Sequence, residues 1–216
     1  MSWGTCYSGS NNIHFDYPPI MDDGRNYSKW QPAAVLNNEI RKSEGIKTNW
    51  EYRNYLVANA GNIPVRESFF QSNIKSIERM IQVNLTGTIY CVYRFTKILI
   101  EKNIPGSIVL ISSEAARFGG NHISTYAATK AGLNTFVVGA AREIGPYGIR
   151  INAVSPGTIM TDSLEAEGDE KLKQIKNSIP LGRIGTTDEA SETIHWLLSD
   201  KSSYISGSMI TVSGGR

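Results

Sequence analysis

Residues 107–112, Ser-Ile-Val-Leu-Ile-Ser, most constrain how this chain can fold. The run is continuously apolar, and Pro105-Gly106 stands before it as a turn. Such a run reads as a strand covered on both faces, which is the habit of parallel sheets packed between helices. Its surroundings agree. A short apolar stretch at 56–58 ends in Asn59-Ala60-Gly61. Residues 76–102 then carry Ile77, Met80, Ile81, Leu85, Ile89, Val92 and Phe95 at helical spacing. Residues 125–144 read as a second long helix, 149–154 as a further strand, 188–198 as an amphipathic helix and 209–212 as a last strand. Alternating strands and helices with apolar strands imply an α/β fold, a doubly wound parallel sheet.

The first 56 residues have a different character. They hold Trp3, Trp30 and Trp50, together with Tyr7, Phe15, Tyr17, Tyr27, Tyr52 and Tyr55. Clusters such as Gly9-Ser10-Asn11-Asn12 and Asp22-Asp23-Gly24 mark loops. One helix is expected, at 32–41, with Pro32 in its first turn and Ala33, Leu36 and Ile40 on one face. No run of branched apolar residues suits a buried parallel strand. The chain therefore divides into an irregular, aromatic- and Asn-rich segment, 1–56, and an α/β part, 57–216.

Composition excludes several classes. With 40% hydrophobic and 19% charged residues, 216 residues can build a real core and are neither a disordered tail nor a coiled coil. Lys plus Arg number 22 against 20 acidic residues, so no nucleic-acid or membrane-surface partner is expected. No span reaches bilayer length and no signal peptide is read at the start, which implies a cytoplasmic protein. Cys6 and Cys91 are expected to be reduced thiols. No metal site is expected, since His14, His122 and His195 lie far apart in the chain.

The chemistry-bearing residues sit at strand ends and helix starts. Tyr126-Ala-Ala-Thr-Lys130 opens a helix, and Ser113 lies 13 residues upstream at the end of the 107–112 strand. Asn84 stands in the long helix, Pro156-Gly157-Thr158-Ile159-Met160-Thr161 follows the next strand, and Val212-Ser-Gly-Gly215 closes the series. In this order and spacing the region from about residue 56 to the end resembles the short-chain dehydrogenase/reductase family, in particular its 3-oxoacyl-carrier-protein reductase and sugar or alcohol dehydrogenase branch. The i, i+4 spacing makes Tyr126 and Lys130 neighbours on one helical face. A phenol ordinarily titrates near pH 10, and a fixed ammonium beside it is expected to bring that value down toward the working range.

The resemblance implies a carbonyl–alcohol oxidoreductase using NAD or NADP. Tyr126 would be the proton donor, Ser113 the orienter of the substrate oxygen, Lys130 the holder of the nicotinamide ribose, and Asn84 a support for a relay water. Asn84 reads equally well as a structural bridge. Pro156, Gly157, Ile159 and Thr161 match the stretch lining the nicotinamide, and Asn59, Ala60 and Gly61 the adenosine side. His122 reads as a loop histidine. The small residues Ala127, Ala128, Ala131, Gly132, Gly139 and Ala140 match a helix face on which family members form homodimers or homotetramers.

One family element is missing. A Rossmann-type front end begins with a strand, a glycine-rich turn and a helix whose N-terminus takes the pyrophosphate. Before residue 57 the glycines are Gly4, Gly9, Gly24 and Gly45, and no pair has that spacing. The fold expectation is therefore a truncated sheet lacking its first strands, with the 56–58 strand left as an exposed apolar edge. Pro18 to Arg25 within the first segment resembles a Pro-Pro-x-Met-x-Asp-Gly-Arg run of short giant-virus proteins. The alternative to the enzyme is thus a fused or truncated, catalytically impaired chain with a binding or structural role. Within the 162–180 segment, which matches the family's lid, residues Glu165 to Lys173 mix both charge signs and single out no ligand. The segment reads as a solvated helix.

Overall fold

A computed structural model describes residues 5–9, 13–16, 33–34, 54–62 and 66–216. Along the chain run β1 (Thr5–Gly9), β2 (Ile13–Asp16), β3 (Ala33–Ala34), β4 (Asn54–Ala58), α1 (Ile74–Ile81), α2 (Thr88–Glu101), β5 (Gly106–Ile111), α3 (Ala115–Phe118) and α4 (Ser124–Ile144). There follow β6 (Ile149–Pro156), α5 (Asp162–Glu165), α6 (Asp169–Asn177), α7 (Thr187–Leu198) and β7 (Met209–Val212). The strands form one sheet in the order β3-β2-β1-β4-β5-β6-β7.

The four strands β4 to β7 are parallel, as their apolar runs require. In β5, Ile108 and Leu110 face one core with Phe95 of α2 and Leu133 and Val137 of α4. Val109 points the other way, into a second core with Val154 and Leu197 of α7. Period-two alternation with both faces covered makes every position apolar. The result is a Rossmann-like α/β sheet.

The N-terminal side differs from expectation in three ways. β4 is not an exposed edge: β1 pairs with it antiparallel, from Cys6 opposite Ala58 to Gly9 opposite Tyr55. β4 carries the fully buried Leu56, and a buried strand with an open row of amides and carbonyls demands a partner. Second, parts of the segment read as irregular are short strands, since β2 pairs antiparallel with β1 and β3 with β2. Antiparallel pairing needs no apolar run, so Thr5–Gly9 leaves no signal of the kind seen at 107–112. Third, Ala33 and Ala34, expected to open a helix, belong to β3, and the remainder of 32–41 lies outside the described residues.

The long helix expected at 76–102 is interrupted. A π-helical turn, Gln82–Gly87, separates α1 from α2. The Thr88 hydroxyl donates to the Asn84 carbonyl at 3.0 Å within this stretch. A π-turn inside a helix often marks a functional position, because the extra residue re-aims a side chain.

Candidate active site

Parallel register brings the strand ends to one side of the sheet. Ala58 lies opposite Leu110, Ile111 opposite Val154, and Pro156 opposite Val212. Asn59 to Gly61, Ser112-Ser113, Pro156-Gly157 and Ser213 therefore gather at the carboxyl ends, where ligand crevices of open α/β sheets lie.

Tyr126 and Lys130, one turn apart on α4, are both buried, with 8% and 3% of their surface exposed. The Ser113 side chain lies beside the Tyr126 phenol and acts to lower its pKa. Ser113 Oγ also accepts from the Ala115 amide at 3.2 Å, which fixes it at the start of α3. Lys130 Nζ donates to the Ile111 carbonyl at 2.7 Å and stands 5.7 Å from the Tyr126 ring centre. Asn84 sits on the π-turn with its side chain turned to the loop after β4. Its Nδ2 donates to the Asn62 carbonyl at 2.8 Å, and its Oδ1 accepts from the Asn62 amide at 2.7 Å. A Cβ on Gly61 would lie 3.3 Å from Lys130 Nζ and 3.8 Å from Asn84 Oδ1. Ser113, Tyr126, Lys130, Asn84 and Gly61 are thus one constellation. Asn84 thereby ties the π-turn to the loop after β4.

The electrostatics depart from the simple ammonium–phenol argument. Burial pushes the Tyr126 phenol above its ordinary value, and the Ser113 side chain offsets part of that rise. Burial brings Lys130 down to about 8. The phenol is raised rather than lowered because desolvation by burial outweighs the opposing effect of Ser113. Tyr126 accordingly stays protonated at neutral pH.

The Pro156–Thr161 stretch is a separate wall. The Gly157 amide donates to the Val212 carbonyl at 2.9 Å, and the Glu114 amide to the Pro156 carbonyl at 3.1 Å. A Cβ on Gly157 would come within 2.8 Å of Ser213 Cβ and 2.9 Å of its Cα. Gly157→Ala should therefore lower stability by about 1–3 kcal/mol through overpacking against backbone, visible as a shifted urea midpoint. Ile159 forms a bridge with Gly185, and Thr161 Oγ1 caps α5 by accepting from the Leu164 amide at 3.4 Å. Asn59 is exposed and Ala60 buried at the end of β4.

Glu114 is a feature the motif reading passed over. Its side chain is 8% exposed, its Oε1 has no hydrogen-bond partner, and its Oε2 lies 3.2 Å from the Cβ position of Gly157. The available signal was a carboxylate placed directly after Ser113 and before two alanines. His122 has positive φ in the turn before α4, consistent with a loop residue. Among the described residues no helix is long and apolar enough to cross a membrane.

A nicotinamide dinucleotide fits one end of this crevice. An ammonium carries three donors, and Ile111 takes one from Lys130, leaving others for ribose hydroxyls. The phosphate end is different. β1 runs antiparallel to β4, so its carboxyl end, Gly9, lies beside Tyr55 at the opposite side of the sheet from Ser113. Among the described residues no glycine-rich turn faces the crevice.

Known proteins share this region. The family model described as Enoyl-(Acyl carrier protein) reductase matches residues 41–216, beginning inside the segment whose likeness to giant-virus proteins these matches do not support. An uncharacterized oxidoreductase of Escherichia coli is 37% identical over 167 residues, which are 74% of this chain and 67% of that protein. L-rhamnose-1-dehydrogenase of Scheffersomyces stipitis is 35% identical over 75% of this chain and 63% of its own length. The crystal structure of a putative 2-deoxy-D-gluconate 3-dehydrogenase from Agrobacterium tumefaciens with bound NADP superimposes with a TM-score of 0.71. It is 31% identical and covers 74% of this chain and 66% of that one. The chain thus spans about two thirds of the length of these relatives. With a family model over most of its residues and a matching sheet, the chain belongs to the short-chain dehydrogenase/reductase family.

Proposed function

We propose that the chain is an NAD(P)-dependent oxidoreductase, cytoplasmic, that interconverts a small-molecule carbonyl and its alcohol. Residues 57–216 carry the chemistry. The observation that carries this reading is the buried Tyr126 and Lys130, one helical turn apart, with the Ser113 side chain beside the phenol. The bound dinucleotide would supply the hydride in reduction and take it in oxidation. Tyr126 gives its phenolic proton to the carbonyl oxygen, and that oxygen becomes the alcohol hydroxyl. Ser113 donates to the same oxygen and holds it in line. Lys130 binds the nicotinamide ribose, while Asn84 positions the loop containing Gly61 against Lys130. Pro156, Gly157, Ile159 and Thr161 form the nicotinamide wall, with Asn59 and Ala60 toward the adenosine. The unpartnered Glu114 Oε1, one residue from Ser113, suits a substrate hydroxyl beside the reacting carbon. The sugar-dehydrogenase relative is in keeping with such a hydroxylated substrate. NADPH and NADH oxidation against a panel of hydroxyaldehydes and hydroxyketones tests the proposal, and turnover on at least one is expected.

The antiparallel β1 supports a second reading, in which a non-family front end leaves a catalytically impaired binding or structural protein. Absence of turnover together with absence of dinucleotide binding would favour it.

The chain is also proposed to form a homodimer or homotetramer through α2 and α4. Part of the small-residue stripe is already used internally: Ala127 and Ala140 are buried in the chain's own fold, and a Cβ on Gly132 would meet Leu85. Gly139 has open space around it, and Tyr90 and Tyr93 are exposed on α2. Sedimentation at micromolar concentration should show dimer or larger, and a clean monomer would reject this face as an interface.

A further inference from the structure

A cavity of about 350 Å³ opens between the α5–α6 segment and the turn after β6, lined in part by Arg66, Thr158, Lys171 and Arg216. We propose that it is an oxoanion subsite, and that the substrate of the proposed oxidoreductase carries a phosphate ester that docks there. The identity of the ligand as substrate rests on that reading of the neighbouring crevice.

Three cations converge on this space from parts of the chain far apart in sequence. Arg66 follows the loop after β4, Lys171 lies on α6, and Arg216 follows β7. On α6, Lys171, Gln174 and Ile175 line the cavity together, the i, i+3, i+4 pattern of a single helical face. Glu167 is the one acidic side chain among the described lining residues. None of the three cations takes part in the ion pairs found among the described residues, which are Lys97–Glu101 and Arg183–Glu189. Arg216 Nη1 donates to Thr158 Oγ1 at 3.2 Å, which holds the guanidinium at the turn.

Like charges gathered within a screening length repel one another, and a bound dianion reverses the sign of that term. Guanidinium groups match the planar pairs of oxygens on a phosphate, and Thr158 adds a hydroxyl. The space lies in the range of small-ligand sites. The route to the reacting end is short. Thr158 directly follows Gly157, whose Cβ position lies 3.2 Å from Glu114 Oε2, and Glu114 directly follows Ser113. A ligand anchored by its phosphate at Arg66, Lys171 and Arg216 would extend along this wall toward Ser113 and Tyr126.

Calorimetric titration of the whole chain at constant ionic strength tests the proposal without turnover. Inorganic phosphate should bind saturably, and Arg66→Gln with Arg216→Gln should weaken it about tenfold or more. Lys173→Gln, on α6 but outside the cavity lining, should leave it unchanged. Dihydroxyacetone phosphate should bind where dihydroxyacetone does not. Equal binding of phosphate by wild type and the double variant would overturn the subsite. Displacement of phosphate by NADPH would overturn its assignment to the substrate, because the cations would then serve the dinucleotide. An enzyme that binds phosphate in this way but turns over no carbonyl compound would defeat the oxidoreductase reading alone.

Discussion

Tyr126→Phe should cut turnover by roughly three orders of magnitude while leaving dinucleotide affinity within about twofold. The substitution deletes one hydroxyl, the one beside Ser113 that holds the transferable proton. It leaves the ring and the Lys130–Ile111 hydrogen bond in place. The raised phenol value adds a pH signature. Carbonyl reduction needs the protonated phenol and should hold steady through neutral pH. Alcohol oxidation needs the phenolate and should climb as pH increases. Initial rates in both directions across pH check this, and an unaltered rate in Tyr126→Phe would remove Tyr126 from the mechanism.

Lys130→Met should abolish turnover and dinucleotide binding together, yet make the folded chain more stable at neutral pH. Lys130 is nearly fully buried, and its folded-state value of about 8 lies below its ordinary 10.5. The unfolded chain therefore holds a proton more tightly than the folded one, and the charged amine costs stability at every pH below about 8. That cost fades as pH rises from about 8 to 10.5, where the folded state has released the proton and the unfolded state progressively follows. Removing the amine should add roughly 1–3 kcal/mol at pH 7, less than the full shift because the Ile111 carbonyl loses its donor. Urea denaturation at neutral and at alkaline pH should show the variant's advantage shrinking on the alkaline side. An advantage independent of pH would mean that Lys130 is not the source.

The parallel half of the fold was legible because each strand is apolar on both faces and each helix keeps its period. Ser113, Tyr126 and Lys130 were legible because local geometry places them: a strand end, a helix start and a one-turn spacing. What the sequence concealed depends on partners distant in the chain. The π-turn at Gln82–Gly87 accompanies the pairing of Asn84 with Asn62, 22 residues away. β1 exists through backbone pairing to β4, which leaves little trace in side-chain pattern. Spacing alone put an ammonium beside a phenol, but the sign of the Tyr126 shift is set by burial from surrounding elements. Glu114 escaped notice because its neighbours Pro156 and Gly157 come from the next strand, more than forty residues on in the chain.

On the proposed function, the nicotinamide end of this crevice binds a dinucleotide although no glycine-rich turn faces it among the described residues. NADPH and NADH titrated into wild type and Lys130→Met, followed by nicotinamide fluorescence, test it most directly. Wild type should give a saturable enhancement, weaker than a complete phosphate cradle would allow, and Lys130→Met should give none. A linear, unsaturated signal identical in both proteins would contradict the account.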